Sequence, residues 1–323
     1  KGAPPIPSGE RSEPRAAGGQ TEGSAPSEPR RSYFVTGVVV GAVNVLFVDI
    51  DSLRADHVGA YGYEGETTPN IDGLIEDGVA FERGYVANSP CMPSRAALLS
   101  GRYGVANGVE THGQRSQRLN WPATRTDWAG SWTENEPERP WWTLPELFFQ
   151  NRVRTVGVSS FPRHPAPWFY HVWHDFLQPQ EPDEEMTTEW GHVRFQTPRA
   201  EAVTDRAIGA LERTGEEPFF LYAQYWDPHA PYNRSEAEID RFRDVELPPY
   251  PTEEQLEEHR TWDTLRGATQ EGIETRGDLD ELISAYDAEI RYADRHVGRL
   301  LDYLREAGRY EDTLVVLSGD HGE

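Results

Sequence analysis

Lysine is almost missing from this chain: Lys1 is the only one in 323 residues, so arginine supplies nearly all of the 31 basic charges against 55 acidic ones, a net charge of −24. Without stripes of basic side chains to neutralise phosphates, nucleic acid is excluded as the default partner. A single cysteine, Cys91, rules out an intramolecular disulfide. Long apolar runs are missing too. The longest, Val38 to Val48, has the length of a strand and runs straight into Asp49 and Asp51, far short of the roughly 20 residues that span a bilayer. No membrane anchor and no signal peptide are expected, and cytoplasmic placement is the default, with an export signal able to lie upstream of the given start.

What is present supports a sizeable core, with 37% hydrophobic and 11% aromatic residues. Residues 1–34 are rich in Pro, Gly, Ser, Glu and Arg and poor in large apolar groups, which predicts a disordered tail. Residues 35–323 read as one domain. Four apolar runs predict buried strands: Val43–Val48, Thr155–Val158, Phe219–Tyr225 and Thr313–Leu317, the last as a central strand covered on both faces. Helical patterns lie between them. One follows Pro69 and stops at Gly78, another occupies Arg199 to Arg213, and the clearest runs from an Asp278 cap to Gly308. In that last segment Leu279, Leu282, Ile283, Tyr286, Ile290, Ala293, Val297, Leu300, Leu301 and Leu304 fall on one face. Strands alternating with helices argue for an α/β layer fold. Asn120 to Trp142, with five of the ten tryptophans, and the acidic stretch Asn233 to Gly277 read as insertions over the sheet. The tryptophan-rich one either stacks on a sugar or aryl ring or packs on its own aromatics.

Each predicted strand ends in polar groups: Asp49, Asp51 and Ser52; then Ser159, Ser160, Arg163 and His164; then Asp227 and His229; then Asp320 and His321. Ligands of open α/β sheets collect at such carboxyl ends, and two Asp-His pairings suggest a shared metal or anion site. The segment Cys91-Met92-Pro93-Ser94-Arg95, with Gly101 as its stop, predicts a short helix beginning just after Cys91. The cysteine would then sit at the positive end of the helix dipole, with Arg95 close by. By strand alternation Asp49 shares a face with Asp51. His171 and His174 lie among Trp168, Phe169, Tyr170, Trp173 and Phe176, which reads as packing rather than as a ligand pair.

From about Val43 onward the chain resembles the sulfatase family of the alkaline-phosphatase-like superfamily. The family's nucleophile motif, Cys-x-Pro-Ser-Arg with a later Thr/Ser-Gly-Arg, is matched by Cys91 to Arg95 and Ser100-Gly101-Arg102. Its opening element is matched by Asp51-Ser52-Leu53-Arg54-Ala55-Asp56 and Gly59-Ala60-Tyr61-Gly62, then by Thr68-Pro69-Asn70-Ile71-Asp72 and Gly78-Val79-Ala80-Phe81. Trp226-Asp227-Pro228-His229-Ala230-Pro231-Tyr232, Tyr286-Asp287-Ala288-Glu289-Ile290 and Ser318-Gly319-Asp320-His321-Gly322-Glu323 follow in the family's order.

The resemblance implies an α/β/α sandwich around a central, mostly parallel sheet, its C-terminal part missing from a chain that stops at Glu323. It implies a sulfuric ester hydrolase, an arylsulfatase-like enzyme whose Cys91 is oxidised to formylglycine by a formylglycine-generating enzyme. The hydrated aldehyde carries two geminal hydroxyls: one attacks sulfur, and deprotonation of the other expels sulfate and restores the aldehyde. By the same resemblance Asp51, Asp320 and His321 are metal ligands, with modified Cys91 completing the shell. Arg95 would hold the deprotonated diol, and His229 would contact the ester and assist the leaving group. The substrate implied is a small-molecule or carbohydrate sulfate ester.

Three departures qualify this. Ser52 stands where many members have a second Asp, and His321 replaces an Asn of other branches. Calcium is the first expectation, but these changes shift the site away from an all-oxygen calcium cage and make manganese its competitor. The Gly-Lys-x-His element after the second strand is absent, and the one lysine cannot supply it. Arg163 and His164 are either its stand-ins in substrate binding or ordinary loop residues, and His112 is a further candidate pocket group. Two alternatives stay open: phosphonate monoester or phosphodiester hydrolysis with the same nucleophile, and a non-catalytic anion- or carbohydrate-binding relative.

Overall fold

The computed structural model describes residues 44–112, 142–159, 167–170, 172–179, 199–260 and 273–323. The 1–34 tail and the tryptophan-rich stretch up to residue 141 lie outside the described residues. Five strands form one sheet: β1 (Asn44–Ile50), β2 (Arg154–Ser159), β3 (Asp175–Leu177), β4 (Phe219–Tyr225) and β5 (Thr313–Gly319). Their order is β3-β2-β4-β1-β5 and every pairing is parallel. Parallel neighbours need long crossovers, which the helices supply: α1 (Pro69–Glu76), α2 (Cys91–Ser100), α3 (Gly104–Asn107), α4 (Leu144–Gln150), α5 (Ala200–Thr214), α6 (Glu236–Ile239), α7 (Glu253–Arg260) and α8 (Arg276–Glu306). The α/β reading holds.

The period of two along β1 sorts its side chains between two cores. Leu46, Val48 and Ile50 join Leu221, Ala223 and Tyr225 of β4 against α5 and α8, through residues such as Val203, Leu211, Ile290 and Leu300. Val45 and Phe47 face the other way, with Phe220, Tyr222, Met92, Ala96 and Leu99, so α2 covers that side. Asp49 shares this second face, one step further along the strand. Fully burying each large apolar side chain stabilises by about 1.5–3 kcal/mol, and both layers depend on it.

Three boundaries differ from expectation. α8 starts at Arg276 with Thr275 as its cap; Asp278 is the reciprocal partner, its carboxylate accepting from the Thr275 N–H at 2.7 Å and from the Thr275 hydroxyl at 2.8 Å. α2 begins at Cys91 itself, and Pro93 falls in the first turn, where a missing N–H costs nothing. β5 lies at the edge of the described sheet rather than inside it, its residues half-buried and Leu314 53% exposed. Hydrophobicity alone does not separate an edge strand from a central one. Short β3 escaped the sequence reading because it lies within the aromatic cluster: Phe176 packs edge-on against Phe169 and Tyr170. Among the described residues of the 233–277 stretch that precede α8, α6 and α7 are helical, and neither contributes to the two buried cores. Among the described residues no helix is long and apolar enough to cross a membrane.

Candidate active site

Strand order decides what meets. β4, β1 and β5 are adjacent and parallel, so their carboxyl ends deliver His229, Asp51 and Asp320 to one edge of the sheet. β1 closes with a bond from the Asp51 N–H to the Tyr225 carbonyl at 3.0 Å, and β5 with one from Asp320 N–H to the Ile50 carbonyl at 3.3 Å. Between them Ser52 takes a left-handed conformation, φ 59°, which L side chains adopt rarely. That turn points the Ser52 N–H at Asp320 Oδ1, 2.9 Å away, while its hydroxyl lies 3.2 Å from Asp51 Oδ1.

α2 enters the same edge from the second face. Ser94 Oγ donates to the Asp320 carbonyl at 2.5 Å and ties the helix start to β5. Cys91, 5% exposed, places Sγ 3.7 Å from Asp51 Oδ1 and 3.2 Å from His321 Nε2. One ligand atom from each of Asp51, Cys91, Asp320 and His321 lies within 4.8 Å of all the others. His321 Nδ1 is 2.5 Å from the Gly322 carbonyl; since a carbonyl only accepts, Nδ1 donates there and Nε2 is the ring nitrogen that faces the cluster.

Beneath the cluster Arg95 is completely buried. Its Nη1 lies 3.0 Å from Asp51 Oδ2 and 3.0 Å from Asp320 Oδ2, and its Nε donates to Asp49 Oδ2 at 2.8 Å. Tyr222 donates a short hydrogen bond to the same Asp49 oxygen. Burial works against the guanidinium's charge, yet Asp320, Asp49 and Asp51 together hold its pKa well above normal. Burial likewise tends to raise Asp51, but Arg95, His229 and His321 hold it below the usual carboxylate range. For Asp320 burial wins over Arg95, helped by Asp51 and Asp49, and pushes its carboxyl up to about 7. Burial, then Asp51, pushes the Cys91 thiol up as well, so it is a neutral thiol and by itself a poor nucleophile.

His229 is partly buried, its ring tilted 39° to that of Trp226 with centroids 4.1 Å apart, and its Nδ1 lies 2.7 Å from the Ala230 carbonyl, which leaves Nε2 open. It is one of the groups that lower the Asp51 pKa, and Asp51 in turn acts on His112. His112 is exposed at the rim, where the density of its surroundings lowers its pKa, reinforced by Arg95 and His321 and opposed by Asp51. Arg163, His164 and His171 lie outside the described residues. His174 bonds Thr155 and packs against Phe149, away from the cluster's ligand set. Sequence reasoning did not assign Ser94, Tyr222 or a partner for Asp49. Alternation put Asp49 on the right face, but no local pattern shows which guanidinium it meets.

The sequence profile of the sulfatase family matches residues 43–323. An arylsulfatase of Clostridium perfringens is 25% identical over 313 residues, covering 87% of this chain and 63% of that protein. The multifunctional alkaline phosphatase superfamily protein PehA of Trinickia caryophylli is 26% identical, with 87% and 63% covered. Among solved structures, the phosphonate monoester hydrolase of Agrobacterium radiobacter superposes with a TM-score of 0.61 at 21% identity, over 87% of this chain and 63% of that one. The chain thus spans under two thirds of the length of these relatives.

Proposed function

The chain belongs to the sulfatase family, and on that premise we propose that the native protein hydrolyses the sulfate ester of a small molecule or carbohydrate. In this reading Cys91, oxidised to formylglycine by a formylglycine-generating enzyme, works beside a divalent cation held by Asp51, Asp320, His321 and residue 91. The observation that carries it is the convergence of those four side chains at the first turn of α2.

The residues suit a cation. Asp320 Oδ2 is buried and accepts no hydrogen bond, although it lies 3.0 Å from Arg95 Nη1. An oxygen in that state is stabilised by a metal ion. Two carboxylates and one imidazole form a mixed oxygen–nitrogen set: the carboxylates suit calcium, the first expectation, and the imidazole nitrogen makes manganese its competitor. A cation there would neutralise ester oxygens and lower the pKa of a bound hydroxyl.

The chain's own groups supply the rest. A neutral, buried thiol is not a hydrolytic nucleophile, whereas a hydrated aldehyde at the same position offers two hydroxyls. The N–H groups and dipole at the start of α2 favour negative charge developing beside residue 91. Arg95 adds fixed positive charge below. His229 Nε2 faces away from its carbonyl bond and is suited to hold a proton at the leaving oxygen. His112 at the rim, together with Arg163 and His164, would contact the ester group.

A peptide mass spanning Ser89 to Arg95 of the mature native protein tests the nucleophile: aldehyde supports it and unmodified thiol in active enzyme refutes it. Phosphonate monoester or phosphodiester hydrolysis is the second reading, favoured by Ser52 in place of a second acidic residue beside Asp51. Side-by-side rates on aryl sulfate and phosphonate or phosphodiester substrates separate the two. Metal binding without turnover of any would point to a non-catalytic anion- or carbohydrate-binding role.

A further inference from the structure

Asp49 is a fully buried carboxylate with no part in the chemistry above. It lies on β1, two residues before Asp51 and on the same face. Its Oδ2 accepts from Arg95 Nε at 2.8 Å, and its Oδ1 lies 3.5 Å from Arg95 Nη2, so the carboxylate grips the guanidinium along one edge. Tyr222 donates to Oδ2 from β4. Burial and the Asp49 charge hold that phenol well above its usual pKa, so it stays a donor. Gripped from this side, the guanidinium is oriented with Nη1 toward both Asp51 and Asp320, 3.0 Å from an oxygen of each.

Charge counting gives the arrangement a purpose. With all three ionised, as they would be around a bound cation, the three carboxylates and one guanidinium leave a net charge of about −2. If Asp49 offsets Arg95, then Asp51 and Asp320 keep two full negative charges, the complement of a divalent cation. Without Asp49, the carboxylates left to the arginine charge among the described residues are the two ligands, and it competes directly with the metal. Asp51 illustrates the division within one carboxylate: Oδ2 meets Arg95, while Oδ1 turns to Cys91 at 3.7 Å and His321 at 3.9 Å.

We infer that Asp49, anchored by Tyr222, is a positioning residue of the metal centre: it takes up the charge and fixes the orientation of Arg95, so that Asp51 and Asp320 remain available to a divalent cation. The inference rests on the metal-centre reading above. Partners of this kind behind metal ligands typically change affinity about 10- to 100-fold when removed.

The test is calorimetric titration of the native-length protein with Mn²⁺ and, separately, Ca²⁺, for wild type, Asp49→Asn and Tyr222→Phe. Circular dichroism and thermal unfolding without metal are recorded alongside. Asp49→Asn is expected to weaken binding about 10- to 100-fold, and Tyr222→Phe, which leaves all charges in place, by a few-fold. A merely structural ion pair would lower the metal-free melting temperature and leave affinity in the folded protein unchanged. Wild-type affinity in folded Asp49→Asn overturns the inference; if that variant does not fold, wild-type affinity in Tyr222→Phe overturns it. Failure of the wild type to bind either ion refutes the metal-centre reading itself, a result distinct from both.

Discussion

The perturbed Asp320 carboxyl predicts that metal binding is coupled to proton release near neutral pH. Burial pushes this group up to about 7; it belongs to the four-residue cluster, and its Oδ2 is buried without a hydrogen bond. With that value Asp320 is roughly nine-tenths protonated at pH 6 and a few per cent protonated at pH 8.5. Binding through the carboxylate should therefore release close to one proton from Asp320 at pH 6 and almost none at pH 8.5. The corresponding loss of apparent affinity is about tenfold per pH unit below 7. In the metal-free protein the same shift acts on stability. The folded state holds the Asp320 proton more tightly than the unfolded state, so the native form binds more protons between about pH 4 and pH 7, and stability falls as pH rises through that window. Asp51, held below the usual range, contributes the opposite slope only at lower pH. The assay is titration of the Cys91→Ala protein, which lacks the thiol proton, in buffers of differing ionisation enthalpy at pH 6, 7 and 8.5. The Asp320→Asn variant supplies the baseline. Equal proton release at pH 6 in both proteins, or release that does not fall by pH 8.5, would refute the reasoning.

Three further outcomes are expected. Cys91→Ala should abolish hydrolysis by the matured native protein with unchanged circular dichroism, and Cys91→Ser should retain at most a trace, because one hydroxyl can be esterified but cannot expel the product; multiple turnover by the alanine protein at near wild-type rate refutes this. Leu300→Ala removes a side chain with 0% exposure from the core between α8 and the sheet, and should cost about 2–5 kcal/mol in denaturant unfolding. Thr275→Ala breaks the reciprocal cap of α8 at a cost of about 1 kcal/mol, with activity unaffected.

Much of this protein was already written in the order of its residues, because local chemistry has local rules. Short apolar runs and the 3.6 period along α8 located four of the five described strands and the longest helix to within a few residues. Gly101, with φ 64°, stops α2 as its lack of a side chain allows. Polar residues clustered at strand ends marked where chemistry would collect. Other features depended on which elements become neighbours, and no local rule contains that. The order β4-β1-β5 brings together residues as distant as Asp51 and Asp320. Half-buried β5 and the brief β3 are defined by their position in the sheet rather than by composition. The fully buried Arg95 illustrates the division best: its place in a Cys-x-Pro-Ser-Arg motif was legible, but its three described carboxylate partners lie on or directly after two strands, β1 and β5. A side chain's charge is a property of its residue, whereas the balance of charge in a buried site belongs to the packing that surrounds it.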